Sequence, residues 1–237
     1  MDDPRRQVAE PGRILEKQTT KDSQGSSLES LVTLEDPTNA TTEAYHTLAA
    51  NLLYALADTP SKVIVLTSPG PGEGKTTICS NLGVVLAQAD QSVLLVDCNL
   101  HRPGVHRVFG LQNLQGLEDV LAGERRVREI WHEPLAGLKV ITAGPVSPYP
   151  AELLSSKRFK TLLSQGSSEF DYVLIDSPSL AMTVPDPLIL ATQGDGVLLV
   201  LDAQSTRKEA VREAMRNLKS VQANVLGTVV NNGRVGR

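Results

Sequence analysis

Six short runs of β-branched and leucine residues, separated by segments with helical spacing, decide what this 237-residue chain can fold into. The runs are KVIVLT (62–67), SVLLVD (92–97), LKVITA (138–143), DYVLID (171–176), GVLLVL (196–201) and VLGTVVN (225–231). Near-continuous apolar runs of this length suit strands buried on both faces of a parallel sheet. Between them lie helical segments, clearest at 76–89, 151–165 and 206–221. Ahead of them, 38–58 carries a stripe of Tyr45, Leu48, Leu52, Ala55 and Leu56, halted by Pro60. Strand and helix in alternation predict a doubly wound α/β domain, three layers deep, with right-handed crossovers. Apolar residues make up 41% and aromatics only 3% of the chain, so the core has to be aliphatic. Residues 1–36 are rich in charge, Gln, Ser and Thr. They read as a disordered N-terminal tail in front of one domain over 37–237.

In open α/β sheets ligands sit beyond the carboxyl ends of the strands, and three of these ends carry chemistry. SPGPGEGKTT (68–77) follows the first strand and opens a helix. Gly70, Gly72 and Gly74 let the backbone curl so that its amides, Glu73's included, face phosphate oxygens. Thr76 and Thr77 start the helix, whose N-terminal end favours an anion. Lys75 supplies a point charge toward the β- and γ-phosphates, and the Thr76 hydroxyl is placed to ligate Mg²⁺. Pro69 occupies the place of the first glycine in the strict phosphate-loop (P-loop) pattern. Asp97 and Asp176 each end an apolar strand, the arrangement by which a carboxylate holds Mg²⁺ beside a P-loop. The sequence therefore predicts a P-loop fold that binds a nucleotide with Mg²⁺ at Lys75, Thr76, Asp97 and Asp176; the resemblance below narrows the ligand to Mg·ATP and makes Lys75, Asp97 and Asp176 the chemical core.

Taken together, SPGPGEGKTT, VLLVDCNLHRP, DYVLIDSPS, DGVLLVL and GTVVNN resemble the bacterial tyrosine kinases of capsular and exopolysaccharide synthesis, over about residues 38–232. An apolar strand followed by D-x-D-x-R-x-P-like residues, called Walker A′, is the most specific part of that resemblance. It implies a fold of the MinD/ParA type and ATP-dependent phosphorylation of tyrosines on neighbouring copies. Asp97 would assist the attacking hydroxyl, and a membrane chain-length regulator would be the partner. Three positions depart from the pattern. Asn99 replaces the second carboxylate. The E-x-x-R-x-x-R of the ring-forming helix reads Glu43, His46, Ala49. In place of an acceptor tyrosine cluster the sequence given ends VNNGRVGR, with tyrosines only at Tyr45, Tyr54, Tyr149 and Tyr172. These departures open an alternative: an ATP-dependent switch or scaffold acting on a membrane partner, without transfer chemistry. Site-determining ATPases of the MinD/ParA type would place a second lysine where this chain has Gly70.

Other candidates follow from the same positions. Arg102 stands where it can neutralise phosphate charge, and Asn231, ending the last strand, where its amide can read an adenine edge. By resemblance Asp186 lies toward the γ-phosphate, or else it caps a helix. His101 and His106 read as solvated loop residues, Cys79 and Cys98 as reduced thiols, and GERRVRE (123–129) as a solvated helical face. A formal net charge of −4 argues against nucleic acid as a partner. No apolar run reaches the length of a bilayer span. A cytoplasmic protein is expected, reaching the inner face of the membrane only through a partner, with homo-oligomerisation open.

Overall fold

The computed structural model describes residues 31–56, 62–181 and 183–233. In chain order the elements are α1 (Val32–Glu35), α2 (Ala40–Ala55), β1 (Val63–Thr67), α3 (Lys75–Gln88), β2 (Val93–Asp97) and α4 (Val105–Val108). Next come α5 (Leu117–Ala122), α6 (Val127–Ile130), β3 (Trp131–Leu135), β4 (Leu138–Ile141), α7 (Pro150–Leu154) and α8 (Lys157–Glu169). The last are β5 (Tyr172–Asp176), α9 (Asp186–Ala191), β6 (Gly196–Asp202), α10 (Lys208–Ser220) and β7 (Val225–Asn231). One seven-stranded sheet runs in the order β3-β4-β2-β5-β1-β6-β7, parallel except where β3 meets β4.

The central strands are buried along their whole length, as their composition requires. Alternate residues feed two cores. Val63, Val65, Leu94, Val96, Val173 and Ile175 join one cluster; Ile64, Leu66, Val93, Leu95, Tyr172 and Leu174 join the other, with α2 and α3. This period of two carries Asp97 and Asp176, one residue past Val96 and Ile175, onto the face occupied by α3. Each fully buried aliphatic side chain stabilises the fold by about 1.5–3 kcal/mol, so the carboxyl edge is a rigid platform.

The structure differs from the sequence reading in five places. Residues 1–30 of the expected tail lie outside the described residues. Residues 31–36 belong to the fold: α1 packs on α2 and α3, and buried Thr33 bonds the Asn81 side chain through its amide and hydroxyl, at 3.1 and 2.9 Å. Strand β3, WHEPL, has no apolar alternation to announce it. It survives as an antiparallel edge strand because Pro134 sits within the register shift, where no ladder amide is needed. The expected helix 151–165 is two helices: Ser156 caps α8 by accepting from the Phe159 amide at 3.2 Å. GERRVRE is not one helical face, since Gly123 ends α5 at φ 88° and a new turn starts at Val127. On α2 the buried stripe is Tyr45, Ala49, Leu52 and Leu56, whereas Ala55 is exposed.

Candidate nucleotide site

The P-loop joins β1 to α3 at the carboxyl edge. Its backbone takes left-handed conformations at Gly72 (φ 77°) and Gly74 (φ 90°), which side chains with a Cβ strongly disfavour. Gly74 is doubly constrained: an added Cβ would lie 2.1 Å from Asn231 Nδ2. Gly74 caps α3 with no side-chain bond, so the helix's first amides are left to the loop cavity. Lys75 is buried, and its Nζ donates to Ser68 Oγ at 3.0 Å. The segment after β5 ties the loop down: Thr67 Oγ1 donates to Pro178 O at 2.9 Å, Ser177 Oγ to Leu66 O at 2.9 Å, and the Leu180 amide to Ser68 O at 2.8 Å.

The two strand-end carboxylates meet. Asp97 and Asp176 are register partners on adjacent parallel strands, and both are fully buried. Thr76 Oγ1 donates to Asp176 Oδ2 at 2.7 Å. Asp97 accepts three backbone amides: Asn99 on Oδ1 at 3.1 Å, and Gly104 and Val105 on Oδ2 at 3.0 and 3.1 Å. Those bonds pull its acidity toward the ionised form. Burial and the neighbouring Asp176 charge outweigh them and push the Asp97 carboxyl up to about 8. Two adjacent buried carboxylates, one of them bonded to a threonine hydroxyl, form a hard-oxygen donor set. That set fits Mg²⁺, which takes few protein ligands and keeps its remaining positions for water and phosphate.

The other expected site residues are placed as follows. Thr77 is half-buried at the start of α3 and Gly70 lies at the loop's entry. Glu73 is buried, its Oε1 accepting from Thr206 Oγ1 at 2.6 Å. Both ends of the Asn231 amide are engaged within the protein, Nδ2 donating to Glu73 O at 3.1 Å and Oδ1 accepting from the Asn232 amide at 3.0 Å. Asn231 thus braces the P-loop. Arg102 is exposed, and its backbone amide is held by Asn99 O and Asn99 Oδ1, both at 3.2 Å.

His101 is not a solvated loop residue. Its Nε2 lies 2.7 Å from Asp186 Oδ2, and Asp186 is only 1% exposed. Asp186 opens α9 but makes no side-chain cap bond there. The pair spans 85 positions of sequence, so nothing in local spacing announces it. His106 is half-buried too, its imidazole held below the usual histidine range by burial and by Arg107.

A strand, glycine-rich loop and helix that present a lysine and a threonine, with two neighbouring strands ending in carboxylates, define a P-loop nucleotide-binding domain. The family described as AAA domain matches residues 61–230. Tyrosine-protein kinase YwqD of Bacillus subtilis (strain 168) is 35% identical over 208 residues, 87% of each chain. Tyrosine-protein kinase etk of Escherichia coli (strain K12) is 32% identical over 199 residues, 84% of this chain and 27% of that one. The solved kinase domain of Escherichia coli tyrosine kinase ETK matches with a TM-score of 0.81 at 28% identity, covering 92% of this chain and 88% of that one. The chain belongs to the bacterial tyrosine-protein kinase family, within the AAA domain group. It spans most of YwqD and about a quarter of etk. Among the described residues no helix is long and apolar enough to cross a membrane.

Proposed function

We propose that this domain binds Mg·ATP at the carboxyl edge of its sheet and transfers the γ-phosphoryl group to tyrosine hydroxyls of proteins. The observation that carries the reading is the in-register pair Asp97–Asp176, with the Thr76 hydroxyl bonded to it and Lys75 buried in the loop above. In this reading the amides of 70–77 cradle the phosphates, and Lys75 leaves Ser68 to stabilise charge on the transferring group. Thr76, Asp97 and Asp176 hold the cation, and Arg102, free to swing from an exposed loop, meets phosphate oxygens. Magnesium supplies the positive charge that neutralises the phosphate oxygens during transfer. Asp97 faces the attacking phenol and takes its proton. Such transfer rests on positioning and charge, so this small set of side chains suffices. We place the domain in polysaccharide synthesis, at the inner face of the membrane through a chain-length-regulating partner.

The test is to incubate the full chain with Mg·ATP and a random Glu–Tyr polymer, with and without EDTA, and to assay phosphotyrosine. Labelled polymer that disappears with EDTA is the expected result. Bound and hydrolysed ATP without phosphotyrosine would sink the kinase reading. It would favour a nucleotide-dependent switch, the reading suggested by Asn99, whose side chain accepts from the Arg102 amide where a second carboxylate would add charge.

A further inference from the structure

All four tyrosines of the sequence fall among the described residues, and exposure divides them. Tyr45 is 8% exposed, its phenol pushed up to about 12 by burial. Tyr172 is fully buried within β5, its ring 4.7 Å from Lys62 Nζ. Neither phenol reaches a phosphoryl group while its element stays folded. Tyr54 and Tyr149 are 88% and 64% exposed. Tyr54 lies in the last turn of α2, which packs chiefly against α1 and α3.

Tyr149 stands elsewhere. Strand β4 runs parallel to β2 with Ile141 opposite Val96, so the chain leaving β4 at Thr142 emerges level with Asp97, at the same edge. That segment is pinned. Thr142 Oγ1 donates to Gln115 O at 3.0 Å, and Gly144 exchanges two bonds with the Asn113 amide, at 2.9 and 2.6 Å. Ser147, buried, accepts from the Tyr149 amide at 3.2 Å. Pro145, Pro148 and Pro150 restrict the remaining dihedrals, so the ring is displayed with little conformational freedom to lose on docking. Tyr149 then leads into α7, which packs on α9. The first residue of α9, Asp186, bonds His101 in the loop beyond Asp97. The helix that Tyr149 leads into is therefore joined through α9 to His101, four residues past Asp97, and Val146 near the phenol is also exposed at 67%.

We infer that Tyr149 is a phosphoryl acceptor, modified by the nucleotide site of a second copy of this chain. The inference rests on the kinase reading above. In a two-fold contact a patch meets its own equivalent, so two copies that associate through this edge would present Tyr149 of one to the site of the other. In the step, the Tyr149 phenolic oxygen forms a bond to the γ-phosphorus of a nucleoside triphosphate. The bond from that phosphorus to the β–γ bridging oxygen breaks, and its electron pair leaves with the nucleoside diphosphate. The phenolic proton passes to Asp97 of the transferring copy.

The experiment maps phosphotyrosine by mass spectrometry on the full chain after incubation with Mg·ATP. Phosphate is expected on the Tyr149 peptide. Tyr149→Phe lowers total phosphotyrosine at least tenfold, and Tyr54→Phe changes it less than twofold, with nucleotide affinity unchanged in both. A Lys75→Met chain, itself inactive, acquires phosphate on Tyr149 when mixed with active Tyr149→Phe protein. Phosphotyrosine that survives Tyr149→Phe, or that lies on Tyr54 alone, overturns the inference. So does an unmodified chain beside a labelled Glu–Tyr polymer, an outcome that leaves the kinase reading standing. If the polymer also stays unlabelled with nucleotide bound, that reading falls and the inference with it. A readout independent of turnover is p-benzoylphenylalanine at position 149. Without nucleotide it should crosslink to residues 68–77 or 99–104 of another chain; products confined to single chains would overturn transfer in trans.

Discussion

The P-loop and the loop that follows β2 lie at the same carboxyl edge of the sheet but are built in opposite ways. The P-loop is a backbone device. Glycines in left-handed conformation shape it, and flanking residues zip it to the segment after β5. The β2 loop is a side-chain device. Asp97 gathers three amides, Asn99 accepts from Arg102, and His101 reaches across to Asp186. A loop shaped by glycines tolerates few substitutions and its pattern shows in sequence. A loop shaped by side-chain bonds can exchange an aspartate for an asparagine and still close. Asn99, the one departure from the family pattern in the β2 loop, is such an exchange.

The largest effect that separates the two loops should come from Lys75→Met. It removes the P-loop's one cation and should cut phosphotyrosine formation by about 10²–10³-fold or more, with the melting curve of the nucleotide-free protein little changed. If transfer persists, the P-loop is not the catalytic loop. Asp97→Asn should follow, lowering transfer by about 10²-fold and altering the pH dependence of stability. Burial and Asp176 raise the Asp97 carboxyl to about 8 in the folded protein. Between about pH 4, the ordinary carboxylate range, and about pH 8 the unfolded chain has released this proton while the folded one keeps it. The folded state then binds more protons, so this group's contribution makes the metal-free protein less stable as pH rises. Asp97→Asn should flatten that slope in thermal melts in EDTA from pH 5 to 8.5. Parallel slopes in the two proteins would refute the assignment.

A smaller effect tests the side-chain loop directly. His101→Ala leaves Asp186 buried without its ring partner and should cost about 1–3 kcal/mol, a drop of a few °C in Tm. Arg102→Ala, one position on but exposed, should leave the melting temperature alone. Equal losses from both would dissolve the distinction between a tethered and a free residue. Smallest of all is Asn99→Asp, which keeps the oxygen that accepts from the Arg102 amide and adds negative charge near the cation. Steady-state assay should find turnover raised several-fold. A decrease would mark Asn99 as an adapted feature.

Much of this was legible in the chain. The alternation of apolar runs carried six of the seven strands and the parallel sheet. The strand–glycine–lysine–threonine order located the P-loop, because a strand buried on both faces has one composition and a phosphate cradle needs glycine wherever its backbone turns left-handed. The strand ends at Asp97 and Asp176 were visible for the same reason. Other features needed the folded chain. Strand β3 carries His, Glu and Pro at a sheet edge, where solvent lifts the demand for apolar residues. The break at Ser155–Ser156 depends on a cap rather than on periodicity. Thr33 joined the core through a bond to Asn81 that no run of apolar residues predicts.

What the sequence determined by itself was therefore short-ranged: burial patterns, turn chemistry, and which strand ends bear charge. Only the tertiary structure decided which distant groups share a site. Crossover connections set β2 beside β5, bringing Asp97 and Asp176 into register and raising the pKa of the first. They brought His101 to Asp186, turned Asn231 to the P-loop backbone, and left Tyr149 exposed while burying Tyr45 and Tyr172. The physical reason is that charge repulsion, hydrogen bonding and exposure act through space over a few ångströms. Positions 79 or 85 apart in the chain feel one another only once the sheet has formed.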